Sequence, residues 1–87
     1  MNKVWSDNAW GDYLYWQEQD RKTLRRINQL LKDIDRNACD GIGKPEPLKH
    51  ERQGYLSRHI DDVNRLVYRV VNNQIEIAHA ERITTIK

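Results

Sequence analysis

One carboxylate in this chain lies between two prolines and is surrounded by cationic side chains. Glu46 is the central residue of the stretch GKPEPLKH, residues 43–50. Each proline fixes its own φ and favours extended geometry in the residue before it, so the backbone on both sides of Glu46 is stiff. A plain linker does not need this rigidity. The neighbouring basic and histidine residues are Lys44, Lys49, His50, Arg52, Arg58 and His59.

A fixed carboxylate beside several guanidinium groups can cleave RNA by using the 2′-hydroxyl of the RNA itself. The reaction needs a base for the 2′-hydroxyl proton, cations for the extra negative charge on phosphorus, and an acid for the leaving 5′-oxygen. Arginine suits the second role because its planar donors match phosphate oxygens. We therefore expect Glu46 to be a general base beside an RNA backbone.

The histidines and the cysteine give no sign of a metal site. His50, His59 and His79 do not follow the spacing of known metal-binding motifs. We expect surface roles for His50 and His79, whereas the sequence leaves His59 open between a surface and a catalytic role. Cys39 is the only cysteine, which excludes an internal disulfide and a cysteine-rich zinc site and fits a reducing cytoplasm. We expect no metal and no other cofactor.

Two helices are predicted in the first half of the chain. Residues 7–18 carry apolar residues at helical spacing after a possible cap at Ser6 or Asp7, and Asp20 can cap a second helix over about 20–37. The second helix is strongly amphipathic, with basic residues opposite its apolar stripe. That stripe consists of Leu24, Ile27, Leu31 and Ile34.

The remaining segments predict a loop and a sheet. Residues 37–53 contain two glycines and two prolines and are typical of a loop. Asn72-Asn73 is a plausible hairpin turn. The segments rich in β-forming residues are 3–5, 55–60, 65–71 and 74–80. The element order β-α-α-β-β-β predicts an α+β fold in which both helices pack on one side of a small, curved antiparallel sheet.

One face of that sheet is expected to be cationic. Arg65 and Arg69 are four residues apart on one strand and so point to the same side. We place Arg58 on the same face from the preceding strand, with His79 on the last strand. Leu66, Tyr68 and Val70 would occupy the opposite face. The alternative is an ordinary solvent-exposed face that happens to carry basic residues.

Composition bounds the kind of protein. The 87 residues suit a single domain over residues 1–87, with one modest core. No apolar run approaches the roughly 18 residues of a membrane span, and the first ten residues lack the layout of a signal peptide, so we expect a cytoplasmic protein. The net charge is only +2, but basic residues are concentrated in 21–36 and 44–69. Such surfaces usually meet phosphates or an acidic protein.

Several stretches together resemble the YoeB/Txe toxins of the RelE-like superfamily. They are WSDNAWGDYLYWQEQD, INQLLKD, GKPEPLKH, GYLSRHI and NRLVYRV, within a resemblance that runs from residue 1 to about 80. It implies a microbial-ribonuclease-like fold and cleavage of messenger RNA in the ribosomal A site. It also implies a YefM/Axe-like antitoxin whose acidic, partly disordered C-terminal segment blocks the toxin, and frequently a toxin homodimer.

The resemblance also assigns residues. Glu46 matches the general base of the family and Arg65 its phosphate-stabilising arginine. Lys49 and Arg58 match basic residues that hold RNA or the transition state, and Lys44 extends this set. His59 stands where the family often has a second arginine.

The segment from about residue 81 departs from the family. Family members finish in Tyr-His-Tyr or a close variant, with the histidine as general acid, whereas this chain reads AERITTIK. Deleting one T from CGT TAT CAC TAC TAT TAA, followed by A, gives CGT ATC ACT ACT ATT AAA. This encodes Arg-Ile-Thr-Thr-Ile-Lys, the residues from Arg82 to Lys87. A lost base is therefore one hypothesis for an inactivated tail, beside divergence and deliberate change.

Two function classes remain open from the sequence. One is a ribosome-dependent ribonuclease that uses Glu46, Lys49, Arg58 and Arg65. The other is a non-catalytic module that binds RNA or the antitoxin and acts in autoregulation of its own operon. We expect the antitoxin to fold on the helix over 20–37 and on the cationic sheet face.

Overall fold

In the computed structural model, two helices cover one face of a five-stranded sheet. The structure describes residues 1–82, with side chains described as far as residue 80. The α+β prediction is confirmed. The elements are β1 (Asn2–Trp5), α1 (Asp7–Gln19), α2 (Arg21–Arg36), β2 (Glu46–Pro47), β3 (Leu56–His59), β4 (Asn64–Val71) and β5 (Gln74–Arg82), with a short 3₁₀ turn at His50–Arg52.

Both helix starts are set by the caps that the sequence predicted. The Ser6 hydroxyl accepts a hydrogen bond from the backbone N–H of Ala9 at 3.0 Å. The Asp20 carboxylate accepts bonds from the N–H groups of Lys22 and Thr23 at 3.0 and 3.4 Å. These bonds satisfy donors that the first turn of a helix leaves open. Asp20 is therefore the single residue between α1 and α2. Both helices begin and end within one residue of their expected bounds.

The core lies between α2 and the sheet. The α2 residues Ile27, Leu30 and Ile34 have no exposed surface, and Leu66 and Ile75 of the sheet are equally buried. Complete burial of an aliphatic side chain stabilises a fold by about 1.5–3 kcal/mol. The predicted apolar stripe of α2 is thus the face that packs on the sheet, which leaves its basic residues toward solvent.

Strand order is β1-β5-β4-β3-β2, and two features differ from the prediction. β1 pairs parallel with β5, so the sheet is mixed rather than fully antiparallel. The predicted loop over 37–53 contains β2, which pairs Glu46 with Ser57 and Pro47 with Leu56. A proline is tolerated there because β2 is an edge strand, where one side of the backbone needs no ladder partner.

The hairpin between β4 and β5 turns where it was predicted. Asn72 and Asn73 have φ of 52° and 62°, the left-handed values that suit a tight hairpin turn. Further along, the β4–β5 register moves from Tyr68 opposite Ile77 to Val67 opposite His79, so Ala78 is an extra residue. This bulge changes the alternation of β5 and puts Ala80 in the core.

Side chains of α1 and its cap replace β1 where that strand ends. Within residues 1–82, the ladder between β1 and β5 ends at Ile77, and no strand pairs with this edge of β5 further along. The Ser6 hydroxyl donates to the carbonyl of Ala78 at 2.9 Å, and the indole N–H of Trp16 donates to the carbonyl of Ala80 at 2.6 Å. The N–H of Ala80 in turn donates to Asp12 at 3.0 Å. The second half of β5 is therefore held by a helix.

Candidate functional site

The face of the sheet away from the helices, called the open face below, brings Glu46 and Arg65 together. A guanidinium nitrogen of Arg65 lies 3.1 Å from a carboxylate oxygen of Glu46. β3 lies between the strands that carry them. The two side chains are 55% and 33% exposed, so a ligand can reach both. The structure therefore brings together the two residues for which the sequence predicts a base and a phosphate-binding cation.

Small side chains form the floor beneath this ion pair. Ser57 faces Glu46 across β2–β3 and faces Val67 across β3–β4, so all three belong to one row on the open face. Ser57 is only 1% exposed and Val67 only 3% exposed. A second contact of 3.5 Å joins Arg65 to the hydroxyl of Ser57. The surface beneath the Glu46 carboxylate is thus almost inaccessible to water, although the carboxylate itself is exposed.

The prediction that Arg58 lies on the open face is wrong. Arg58 faces Leu66 across β3–β4, and Leu66 belongs to the core. The side chain has no exposed surface. Its neighbour His59, one residue further along, is the one that faces Arg65. Alternation along a strand therefore turns Arg58 inward, away from any phosphate on the open face.

The buried guanidinium of Arg58 is bonded on all sides. It donates to Asp33 at 2.6 Å and to the Tyr68 hydroxyl at 2.9 Å. It also donates to three backbone carbonyls at 2.5–3.1 Å, which belong to Asn37, Asp40 and Ile42. This set of contacts, called the Arg58 hub below, ties the loop before Glu46 to α2 and the sheet. Arg58 thus supports the site from the interior.

Two ionisable groups that bond to Arg58 have shifted pKa values. The hydrogen bond from Arg58 lowers the pKa of the Asp33 carboxyl below its ordinary value of 3.8. Burial raises the pKa of the Tyr68 phenol, and the bond from Arg58 opposes that shift. Tyr68 also donates to the carbonyl of Ala38 at 3.0 Å. An ionised carboxylate and a neutral phenol are therefore the forms that the hub requires.

The remaining predicted residues lie around the edge of the site. Lys44 and His59 border one cleft with Arg26. The N–H of His59 donates to the carbonyl of Gly43 at 2.7 Å, which holds the chain before Glu46 against β3. Lys49 is exposed just before the 3₁₀ turn. Within the described residues, neither lysine ammonium group is bonded to a protein acceptor, so both remain available to phosphate.

A second row on the open face contains Arg69, which the sequence placed there, and Tyr55 and Glu76, which the sequence analysis did not assign to the site. Arg69 lies beside Glu76 with a nitrogen–oxygen distance of 2.5 Å, and its guanidinium lies 5.0 Å from the centre of the Tyr55 ring. The carboxylate of Glu76 raises the pKa of Arg69 further. Tyr55 and Ser57 are two residues apart at the start of β3, and this alternation could have placed both on the open face.

His79 is the last of the residues that the sequence predicted on the open face. His79 is half-buried opposite Val67, so the bulge at Ala78 directs it to the open face.

Among residues 1–82, no cluster of three or more histidine, cysteine, aspartate or glutamate side chains could hold a metal ion. In the same part of the chain, no helix combines the length and apolar character needed to cross a membrane.

Comparison with known proteins identifies the family. The sequence pattern of the YoeB-like toxin of bacterial type II toxin–antitoxin systems matches residues 5–82. The chain belongs to this family. It is 49% identical over 78 residues to Toxin YoeB of Escherichia coli K12, covering 90% of this chain and 93% of that toxin. It is 48% identical over 80 residues to Toxin YoeB of Streptomyces coelicolor, covering 92% and 95%.

Solved structures of this toxin family share the same fold. The YoeB dimer from Staphylococcus aureus superposes with a TM-score of 0.90 and 48% identity, covering 97% of this chain and 98% of that one. A YoeB–YefM complex from the same organism gives 0.91 and 46% over the same shares. YafQ from Escherichia coli gives 0.73 at 18% identity, covering 94% and 92%, which shows the fold alone.

Proposed function

We propose that this YoeB-like toxin has the scaffold of a ribosome-dependent messenger RNA endoribonuclease, with Glu46 as general base and Arg65 as the phosphate-stabilising cation. The observation that carries the proposal is the accessible ion pair between these two residues at 3.1 Å. Membership of the YoeB-like toxin family of bacterial type II toxin–antitoxin systems also supports it.

The proposed reaction uses the RNA as its own nucleophile. Glu46 takes the proton of the 2′-hydroxyl, whose oxygen forms a bond to the adjacent phosphorus. Arg65 donates hydrogen bonds to the phosphate oxygens as negative charge develops on them. The bond from phosphorus to the 5′-oxygen then breaks, and an acid protonates that oxygen. The products are a 2′,3′-cyclic phosphate and a free 5′-hydroxyl.

In the free protein the two catalytic groups neutralise each other. An incoming phosphate offers Arg65 another anion, and its forked donors can bind that anion while the Glu46 carboxylate turns to the 2′-hydroxyl. The prolines on both sides of Glu46 keep its backbone in place during this exchange. The ion pair thus holds both side chains ready at modest cost, because it is exposed to water.

Three residues at the edge of the site are proposed to hold the RNA backbone. Lys44 and Lys49 are exposed on either side of Glu46 in the chain, and half-buried His59 faces Arg65 across β3–β4. Charges of this type mainly set affinity and its dependence on salt rather than the rate of the chemical step. For Arg58 we propose a positioning role in place of the RNA contact expected from the resemblance.

The tail decides whether this copy is active. Residues 83–87 lie outside the described residues, but their sequence, Ile-Thr-Thr-Ile-Lys, holds no histidine. The backbone just before them runs beside the site, since Glu81 pairs with Arg65. If no acid protonates the 5′-oxygen, we expect a loss of about two to four decades in rate. We therefore propose that the altered tail inactivates the chain.

We also propose that this chain binds an antitoxin related to YefM. Solved structures from Staphylococcus aureus include YoeB–YefM complexes, one of them heterotetrameric, and a YoeB dimer. In this chain, the basic surface of α2 and the open face offer two cationic regions for an acidic segment that folds on binding. A homodimer is part of the same proposal.

A second candidate function rests on the tail. A YoeB-like toxin without its general acid could still bind RNA or its antitoxin, because the helices and strands that the structure describes lie within residues 1–82. Such a module would act in autoregulation of its own operon. It predicts binding without cleavage.

Primer extension on translating ribosomes tests these proposals. The chain is compared with a version in which Arg82 is followed by Tyr-His-Tyr-Tyr, and with Glu46→Ala and Arg65→Ala in that restored background. We expect the restored chain to cleave at least about a hundredfold faster than the present one. Each substitution should remove most of that gain. Cleavage that survives both substitutions refutes the mechanism, and a restored tail without gain refutes the account of inactivation.

A further inference from the structure

A second row of side chains crosses the open face beside the Glu46–Arg65 pair. Tyr55, Arg69 and Glu76 come from three neighbouring strands or their ends, and Val4 of β1 faces Glu76 in the parallel ladder. Val4 is 41% exposed, so this end of the row is open to solvent. The row is flat and mixed in chemistry, with an aromatic ring, an ion pair and an aliphatic side chain.

The row borders a cleft of about 190 Å³. This volume lies below the roughly 300–1,000 Å³ of pockets that enclose drug-sized molecules. It suits one planar ring better than a whole nucleotide. The lining residues are Val4, Trp5, Ser6, Tyr55, Glu76, Ile77 and Ala78.

Charge in the row argues against a phosphate in this cleft. Arg69 is bonded to Glu76, so the pair is close to neutral. The guanidinium plane is also occupied on one side by Tyr55. A phosphate would have to displace Glu76 and then lie near its carboxylate. A nucleobase carries no charge, and aromatic rings and guanidinium planes are the surfaces on which unpaired RNA bases stack.

The position of the row fits a neighbour of the reacting nucleotide. Tyr55 lies two residues before Ser57 in the chain, which corresponds to about 7 Å along an extended strand. Ser57 is the cross-strand partner of Glu46. A base stacked on Tyr55 would therefore belong to a nucleotide next to the one that reacts at Glu46.

We propose that Tyr55, supported by Arg69 and Glu76, is a stacking subsite for one unpaired RNA base adjacent to the scissile phosphate. The proposal rests on the proposed function for its substrate class, single-stranded RNA. The Tyr55 ring stacks the base, and the Arg69–Glu76 pair keeps the ring in place. Tyr55 is thus a substrate-positioning residue, not a base or an acid.

A fluorescent base tests the stacking directly on the chain as it exists. The probe is a short single-stranded RNA with a 2′-deoxy nucleotide at the cleavage position, which prevents the reaction, and 2-aminopurine on one side of it or the other. Stacking on Tyr55 should quench the fluorescence for one of the two placements. Tyr55→Ala should remove the quench and weaken binding about ten- to a hundredfold, whereas Tyr55→Phe should preserve both.

Two controls separate stacking from loss of structure. Tyr15→Ala removes a tyrosine that is 54% exposed on α1, away from the open face, and should leave quenching and affinity unchanged. An RNA with an abasic nucleotide in place of 2-aminopurine should bind the parent and Tyr55→Ala with equal affinity. If Tyr55→Ala still weakens binding of the abasic RNA, the base is not what Tyr55 contacts, and the proposal fails.

The result of the fluorescence experiment can be distinguished from the result of the cleavage experiment that tests the proposed function. Quenching that depends on Tyr55, with no cleavage by the tail-restored chain, would support the subsite and refute the nuclease. Cleavage that depends on Glu46, with no quenching for either probe, would support the nuclease and overturn the subsite.

Discussion

The two faces of the sheet use arginine in opposite ways. Arg58 on β3 has no exposed surface and five bonded acceptors, whereas Arg65 on β4 is 33% exposed and has Glu46 and Ser57 as its partners. In the β3–β4 register they lie in adjacent rows, since Arg65 faces His59 and Arg58 faces Leu66. A shift of one residue along a strand separates a structural cation from an accessible one.

The comparison shows which partners a guanidinium group needs in the interior and on the surface. In the interior, an uncompensated charge is very costly, so Arg58 is useful only because every direction of its fork finds an acceptor. On the open face, water screens the ion pair, so Arg65 can exchange one anion for another at little cost. Arg58 is a fixed support, and Arg65 is the proposed binding group.

The largest expected effect is on folding. Arg58→Ala should lower the free energy of unfolding by about 3–5 kcal/mol, because it removes the buried guanidinium from Asp33 and from three backbone carbonyls. Urea denaturation followed by circular dichroism measures this loss. If the variant does not fold, thermal unfolding of Tyr68→Phe gives a milder test, since this change removes only the phenolic contacts of the hub.

Arg65→Ala is the matched control for stability. Its ion pair is exposed, so its removal should change the free energy of unfolding by no more than about 1 kcal/mol. Equal destabilisation by Arg58→Ala and Arg65→Ala would remove the contrast between the two faces.

The next effect is on cleavage, in the tail-restored chain. Arg65→Ala should lower the rate at saturating ribosomes by about two to three decades, because it removes a donor from the charge that develops on phosphorus. Lys49→Ala should act mainly on affinity and on its salt dependence. Single-turnover primer extension separates rate from affinity. Equal losses of rate in the two variants would argue against a position of Arg65 at the phosphorus.

A third effect is expected in acid. The pKa of Asp33 is lowered by its bond from Arg58, and the pKa of Asp35 is lowered by its bonds from Lys3 and the N-terminal amine. A depressed folded-state pKa stabilises the fold above the unfolded value, and this stabilisation is lost as the pH falls through 3.8 and below. Urea titrations at several pH values measure the loss. Asp33→Asn should flatten this dependence, and an unchanged slope would contradict the assignment.

The smallest effect is expected at the edge of the sheet. Lys3 on β1 lies 2.8 Å from Asp35 of α2, and both side chains are about one-third exposed. Lys3→Ala should therefore cost less than about 1 kcal/mol, with part of that cost removed by salt. A double-mutant cycle with Asp35→Ala measures the coupling. A coupling as large as the Arg58 effect would show that exposure does not separate the two kinds of ion pair.

Local signals explain what could be predicted without the structure. The caps at Ser6 and Asp20 and the turn at Asn72-Asn73 depend on the residue itself and its nearest neighbours, so sequence suffices. The apolar stripe of α2 depends on a period that the sequence displays directly. The Glu46–Arg65 pairing required more, and it came from the resemblance to a known family together with the even spacing of Arg65 and Arg69.

The features that the sequence did not predict depend on the pairing register between strands. The sequence by itself determined both helices, the order of the later strands and the residue types of the site. Only the tertiary structure decided that β1 runs parallel to β5, that Ala78 is a bulge and that Arg58 faces inward. Each depends on which residue lies opposite which across a sheet. A shift of one position reverses the face without changing the pattern of either strand, so burial of Arg58 follows from its partners and not from its neighbours in the chain.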